Sequence, residues 1–151
     1  MKHLTTTLLV VLLTFYAVTA QAQNKPASRS SLLFANFPNT ISFTEAQLNN
    51  LFRYSQGENV SLAFENNVTL SGPVTSNLVK YSNLQTVVIN LTAYSNTLFS
   101  LSKQTENNHT IFVGRIFNPA YADGFELQRN ANGNYQLSKI DTKNTLTDCT
   151  Q

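Results

Sequence analysis

The chain has 151 residues, of which 42% are hydrophobic and 12% charged, with a formal net charge of +2, one cysteine and no tryptophan. That apolar content excludes a disordered polymer, and near-neutrality removes any electrostatic drive toward nucleic acid or an anionic membrane. A single cysteine excludes an intramolecular disulfide framework, so the fold must rest on its hydrophobic core.

Met1 to Ala22 has the three parts of a secretory signal. Lys2 and His3 make a short positive start. Leu8 to Val18 forms an apolar run too short for a span of about 20 residues. Ala20-Gln21-Ala22 places small residues where a signal peptidase reads, so cleavage is expected between Ala22 and Gln23, with cleavage after Ala20 as the alternative. No cysteine follows the run, so there is no thiol to acylate at a mature N-terminus. The expected location is secreted or periplasmic, with no membrane anchor after cleavage. Residues 23–31 then read as a flexible leader, and 32–151 as a single globular β-rich domain.

Leu32 to Phe37 is expected to be a first edge strand, ended by Pro38. Ser42 to Gly57 carries the helix signal. Thr44 is the N-cap and Gln47 completes a capping box, while Phe43 and Leu48 form the hydrophobic staple. Leu48, Leu51 and Phe52 share one face, and Gly57 is the expected stop. Val60–Glu65 and Val68–Leu70 flank a tight turn at Asn66-Asn67, since Asn tolerates positive φ. Gly72-Pro73 is expected to break the strand, and Thr75–Asn83 reads equally as loop or strand. Gln85–Leu91 is the most β-branched run and predicts a central strand covered on one side by the helix.

Two hairpins in tandem follow. Leu98–Ser102 and Ile111–Phe117 flank the polar run Thr105–Asn108. Phe125–Arg129 and Tyr135–Ile140 flank Asn130-Ala131-Asn132-Gly133. Apolar and polar residues alternate in both, the pattern of strands with one wet face. A last short strand is expected at Thr145–Thr147. The predicted class is α+β, mostly β: an antiparallel meander or sandwich-like sheet of about six to nine short strands, with one N-terminal amphipathic helix packed on it.

Residues suited to chemistry are sparse. His109 lies at a hairpin turn, where exposure is the ordinary state. With one histidine and one cysteine beyond the signal, a zinc site of the His/Cys type needs carboxylates to complete it. Cys149, near the end of the chain, has three readings: packed as a small hydrophobe, a tail thiol open to intermolecular pairing, or reactive. Asp123 and Glu126 flank a strand entrance, as a general acid–base pair or calcium ligands would, although a solvated loop explains them more simply. The remaining carboxylates fall near turns or in the first helical turn. Asn-x-Ser/Thr sequons begin at Asn59, Asn67, Asn90 and Asn108, about the number that chance yields in so Asn-rich a chain. No catalytic, cofactor or metal site is predicted.

Val113-Gly114-Arg115-Ile116, Gly124-Phe125-Glu126-Leu127 and Gly133-Asn134-Tyr135-Gln136-Leu137 are similar to hairpins in secreted β-rich modules, including peptidase propeptides. The similarity covers the last third of the chain and implies no activity. Tyr94, Phe117, Tyr121 and Phe125 lie in or beside loops. They form either a binding patch or the closure of one end of the β core. The sequence therefore predicts a small secreted non-catalytic module that binds an extracellular protein or glycan through strand edges or loop aromatics. The alternative is a propeptide-like or inhibitor-like domain that acts on a peptidase by strand addition.

Overall fold

Residues 31–64, 67–107 and 109–142 are described by a computed structural model. The expected signal sequence, most of the leader, the strand at Thr145–Thr147, Cys149, Asn66 and Asn108 lie outside them.

The two tandem hairpins form where the alternation places them. β5 (Thr97–Glu106) buries Thr97, Phe99 and Leu101, while β6 (His109–Phe117) buries Phe112, Gly114 and Ile116. Their register runs unbroken from Leu98↔Phe117 to Glu106↔His109. The strands are longer than the apolar pattern, because Thr105 and Thr110 continue the pairing into the polar run. Asn107, at φ +48, takes the left-handed turn position. β7 (Asp123–Arg129) and β8 (Tyr135–Asp141) close around Asn130–Asn134. There Gly133 has φ +82, and the Asn130 side-chain oxygen accepts from the backbones of Asn132 and Asn134.

Upstream lie β1 (Thr40–Phe43), helix α1 (Glu45–Leu51), β2 (Asn59–Ala63), β3 (Thr69–Tyr81) and β4 (Leu84–Leu91). The eight strands among the described residues make one antiparallel sheet in the order β1-β8-β7-β6-β5-β4-β3-β2. From β3 to β8 each strand pairs with its predecessor, and β1 closes on β8, so no described strand crosses to a second layer. The fold is mostly β and antiparallel, as expected; the sheet curls into a half-barrel, and the sandwich-like alternative does not form. Register shifts at Val74/Ser76 and Val79/Tyr81 add to the natural twist and bend it. The inner face of the curl is the core. Phe99, Leu101, Ile116, Phe125 and Leu137 are fully excluded from solvent there, each contributing about 1.5–3 kcal/mol by burial. Tyr135 is also buried; its ring stands edge-on to Phe112 and its hydroxyl accepts from the Phe112 N–H.

Three expectations are corrected. First, Leu32–Phe37 is not a strand. Its amides leave the sheet because the Asp123 carboxylate takes the N–H groups of Leu33 (2.7 Å) and Phe34 (2.9 Å). The first strand is Thr40–Phe43, beyond Pro38, and it pairs with β8.

Second, the helix ends at Leu51 instead of running to Gly57. The capping box forms as read, with the Gln47 N–H donating to the Thr44 hydroxyl and the Thr44 N–H donating to Gln47 Oε1. Leu48 and Leu51 are buried. The next turn tightens through Phe52 N–H to Asn49 and Arg53 N–H to Asn50. Asn77 of β3 then donates to the carbonyls of Phe52 (3.0 Å) and Tyr54 (2.8 Å), which a longer helix would have used itself. Gly57, at φ +92, serves the turn into β2.

Third, Gly72-Pro73 does not break β3. Pro73 stands opposite Asn59 between the hydrogen-bonded pairs of the β2–β3 ladder, so its missing N–H leaves that ladder intact. Gly72 is required by close approach: a Cβ there would lie 1.8 Å from the Asn90 carbonyl oxygen.

Candidate functional site

The loop aromatics do not gather into one patch. Phe125 is fully buried, edge-on to Phe34 at 5.3 Å, and presents no surface. Tyr94 is half-buried. Its ring packs on Phe34 and Phe37, and its hydroxyl donates to the Thr69 carbonyl at 2.8 Å. Tyr121 is half-buried at the rim, its hydroxyl 3.1 Å from the Ser95 hydroxyl. Phe117 is on the opposite, outer face of the sheet, paired with Leu98. Asn118 ties the two loops together by donating to the Ser95 carbonyl and the Thr97 hydroxyl. Segment 32–37 thus plugs this end of the half-barrel, and the aromatics complete the plug.

The carboxylates singled out by the sequence have structural partners. Asp123 is 3% exposed and spends both oxygens on the Leu33 and Phe34 amides. Glu126 pairs with Arg115 across β6 and β7 at 2.8 Å, both side chains partly exposed. A cleft of about 600 Å³ beside the plug is lined by Asp123, Lys139 and Asp141. Its charged groups are engaged: the Lys139 ammonium donates to the Phe37 carbonyl at 2.9 Å, and Asp141 has a partner of its own. His109 is exposed opposite Glu106. Among the described residues no group of three His, Cys, Asp or Glu side chains gathers as metal ligands would.

The edges of the sheet carry backbone groups without a ladder partner. β1 and β2 are the two edges of the sheet. They border a cleft of about 540 Å³, lined by Thr40, Ile41 and Ser42 on one side and Ala63 and Phe64 on the other, with Gln47 of α1 in its wall. The rings of Phe43 and Phe64 meet across its inner side at 4.8 Å.

Which backbone groups point outward from the two edges follows from the ladders. The Lys139 N–H donates to Asn39, so Asn39 and Lys139 form a hydrogen-bonded pair, and so do every second pair along β1 and β8. Thr40 and Ser42 therefore direct their N–H and C=O groups away from β8. On β2, the bonds Val74 N–H to Glu58 and Phe64 N–H to Val68 give the same alternation. Asn59, Ser61 and Ala63 direct theirs away from β3. Each edge thus carries a short row of ladder-competent groups, and the rows approach one cleft at Thr40 and Ser42 on β1 and Ala63 on β2, as an added strand would use them.

β1 had a legible signal that the sequence reading missed: Ile41 and Phe43 alternate with Thr40 and Ser42. The staple reading of Phe43 drew attention to the helix instead. The sequon residues Asn59 and Asn67 are exposed, whereas Asn90 lies half-buried in β4 with its side-chain oxygen buried and without a hydrogen-bond partner. Comparison with protein-family models, curated proteins and solved structures finds no match.

Proposed function

We propose that the chain is a small secreted, non-catalytic binding module that takes an extended segment of a protein partner at the cleft between β1 and β2. The observation that carries this reading is the alternation at the two edges, which leaves outward backbone groups on Thr40 and Ser42 of β1 and Ala63 of β2 beside one cleft, and on Asn59 and Ser61 along the rest of the β2 edge. A strand laid there satisfies donors and acceptors that the fold itself leaves to water. Two hydroxyls, Thr40 and Ser42, and the Gln47 amide share the walls with Pro38, Ile41, Ala63 and Phe64, and among the described residues no charged side chain lines them, so an uncharged extended peptide fits better than an acidic or basic one. A glycan site, by contrast, draws on exposed aromatic faces, and the aromatics nearest this cleft pack on each other. In the same reading the amphipathic helix α1 covers the core behind the cleft and holds β1 in place through its cap.

The second reading uses the same edges: a propeptide-like or inhibitor-like domain that lends β1 or β2 to the cleft of a peptidase. The bare backbone of β2, five residues long, supports it.

Amide-resolved NMR with a library of uncharged extended hexapeptides tests the first reading. Peptides should shift the amides of Thr40, Ser42, Asn59, Ser61 and Ala63 before any others. Ser61→Pro removes one outward N–H without touching the β2–β3 ladder and should weaken that response. Shifts confined to the loops around Tyr94 and Tyr121 would refute the assignment. Inhibition of a peptidase, abolished by the same substitution, would favour the second reading.

A further inference from the structure

We infer that Asn132-Gly133, at the tip of the β7–β8 hairpin, is a self-modification site, where the glycine amide displaces ammonia from the asparagine side chain and leaves aspartate and isoaspartate. The site is independent of the cleft between β1 and β2. It is the chain's single Asn-Gly pair. Asn132 is exposed, and among the described residues its side chain has no hydrogen-bond partner, so the side-chain amide is free to turn toward the next backbone nitrogen. Gly133 brings no side chain to obstruct that approach. Asn130 and Asn134, in the same turn, are followed by Ala131 and Tyr135, whose side chains do obstruct it. The Asn130 side-chain oxygen is also engaged, by the Asn132 and Asn134 amides at 3.0 and 2.9 Å.

The bonds balance with water as the one co-reactant. The Gly133 nitrogen gives its proton to solvent base and attacks Asn132 Cγ. The N–Cγ bond forms, the Cγ–Nδ2 bond breaks, and Nδ2 takes up a proton and leaves as ammonia. Water then opens the succinimide ring. Opening at Cγ gives aspartate. Opening at the main-chain carbonyl carbon of residue 132 gives isoaspartate, whose main chain runs through the former side chain. Arg129 supplies the charge that the attack needs. A Cβ built on Gly133 would lie 3.5 Å from Arg129 Nη2, and Arg129 Nε donates to the Gly133 carbonyl at 3.1 Å. The guanidinium is held there over the Tyr135 ring, 5.9 Å from its centroid. A fixed cation beside the reacting nitrogen favours the deprotonated amide and the oxyanion that forms on attack. The opposing restraint is the turn itself. The Gly133 N–H donates to the Asn130 carbonyl at 2.9 Å and must leave it before the nitrogen can attack. Isoaspartate lengthens the main chain between residues 132 and 133, so it also undoes this closing bond.

Peptide mapping by mass spectrometry of the folded chain, aged at mildly alkaline pH in heavy-oxygen water, tests this. Asn132 should convert to an aspartate and isoaspartate mixture that carries the heavy oxygen, while Asn130 and Asn134 stay intact. Arg129→Gln should slow conversion about fivefold, the factor that a unit charge about 4 Å away contributes through water. Added salt should slow the wild type in the same direction without any substitution. Asn130→Ala releases the Asn132 and Asn134 amides and should speed conversion roughly tenfold, the worth of two net hydrogen bonds. Circular dichroism should show both variants folded, because both positions lie outside the core. An Asn132 that stays intact in the folded chain, under conditions that convert the urea-unfolded chain, overturns the proposal, and so does conversion of Asn130 or Asn134 at the same rate. A rate unmoved by both Arg129→Gln and salt overturns the part assigned to Arg129.

Discussion

Asp123→Ala removes the one side chain that holds segment 32–37 to the sheet by paired hydrogen bonds. Asp123 begins β7, 3% exposed, and accepts from Leu33 N–H at 2.7 Å and Phe34 N–H at 2.9 Å. Phe34 is fully buried and stacks against Phe37, Tyr94 and Phe125. The alanine variant leaves both amides without their acceptor. A buried, unsatisfied N–H costs about 1–3 kcal/mol, and a bond to a charged acceptor contributes at the upper end of the hydrogen-bond range. The Phe34 amide is buried and bears the full cost, whereas water can partly relieve the Leu33 amide. The expected loss is therefore about 3 kcal/mol. Asn is no substitute, because its NH₂ group would face one of the two N–H donors. Glu126→Gln is the control. It breaks an ion pair whose partners are both more than a third exposed, and should cost less than about 1 kcal/mol. Urea denaturation of the three variants gives the comparison. A midpoint for Asp123→Ala as close to wild type as that of Glu126→Gln would refute the reasoning, and the plug would then be held by its aromatic contacts alone.

The helix and the close approach of Gly72 to β4 make separate predictions. Leu51→Ala, at a position with no exposure, should cost about 2–5 kcal/mol by lost transfer energy and the cavity left behind. Asn50→Ala on the exposed face should stay within about 0.5 kcal/mol by the same denaturation assay. Gly72→Ala should be among the most damaging single-carbon additions in the protein, because its Cβ meets the backbone of Asn90, which cannot rotate away. Soluble yield and thermal midpoint should both fall sharply, whereas Gly57→Ala, with open space around it, should be mild apart from its positive φ.

How far the sequence alone determined this protein can be judged element by element. The tandem hairpins were legible because alternation with period two and the Asn/Gly turn residues are local, and β5 to β8 follow them closely. The start of α1 was legible for the same reason: Thr44 and Gln47 are three residues apart, so the capping box is written within one turn. Its end was not, since Asn77 and Gln85 take the carbonyls of Phe52 and Tyr54 from distant strands. Asp123 looked like a loop carboxylate because its partners lie about ninety residues away. Gly72-Pro73 looked like a breaker until the ladder showed Pro73 between hydrogen-bonded pairs. The cleft between β1 and β2 belongs to the tertiary structure alone. Nothing in Thr40–Phe43 or Asn59–Ala63 says that these two strands become the opposite edges of one curled sheet. The long pairing from β2 round to β8 decides that, and it also decides which backbone groups are left without a neighbour.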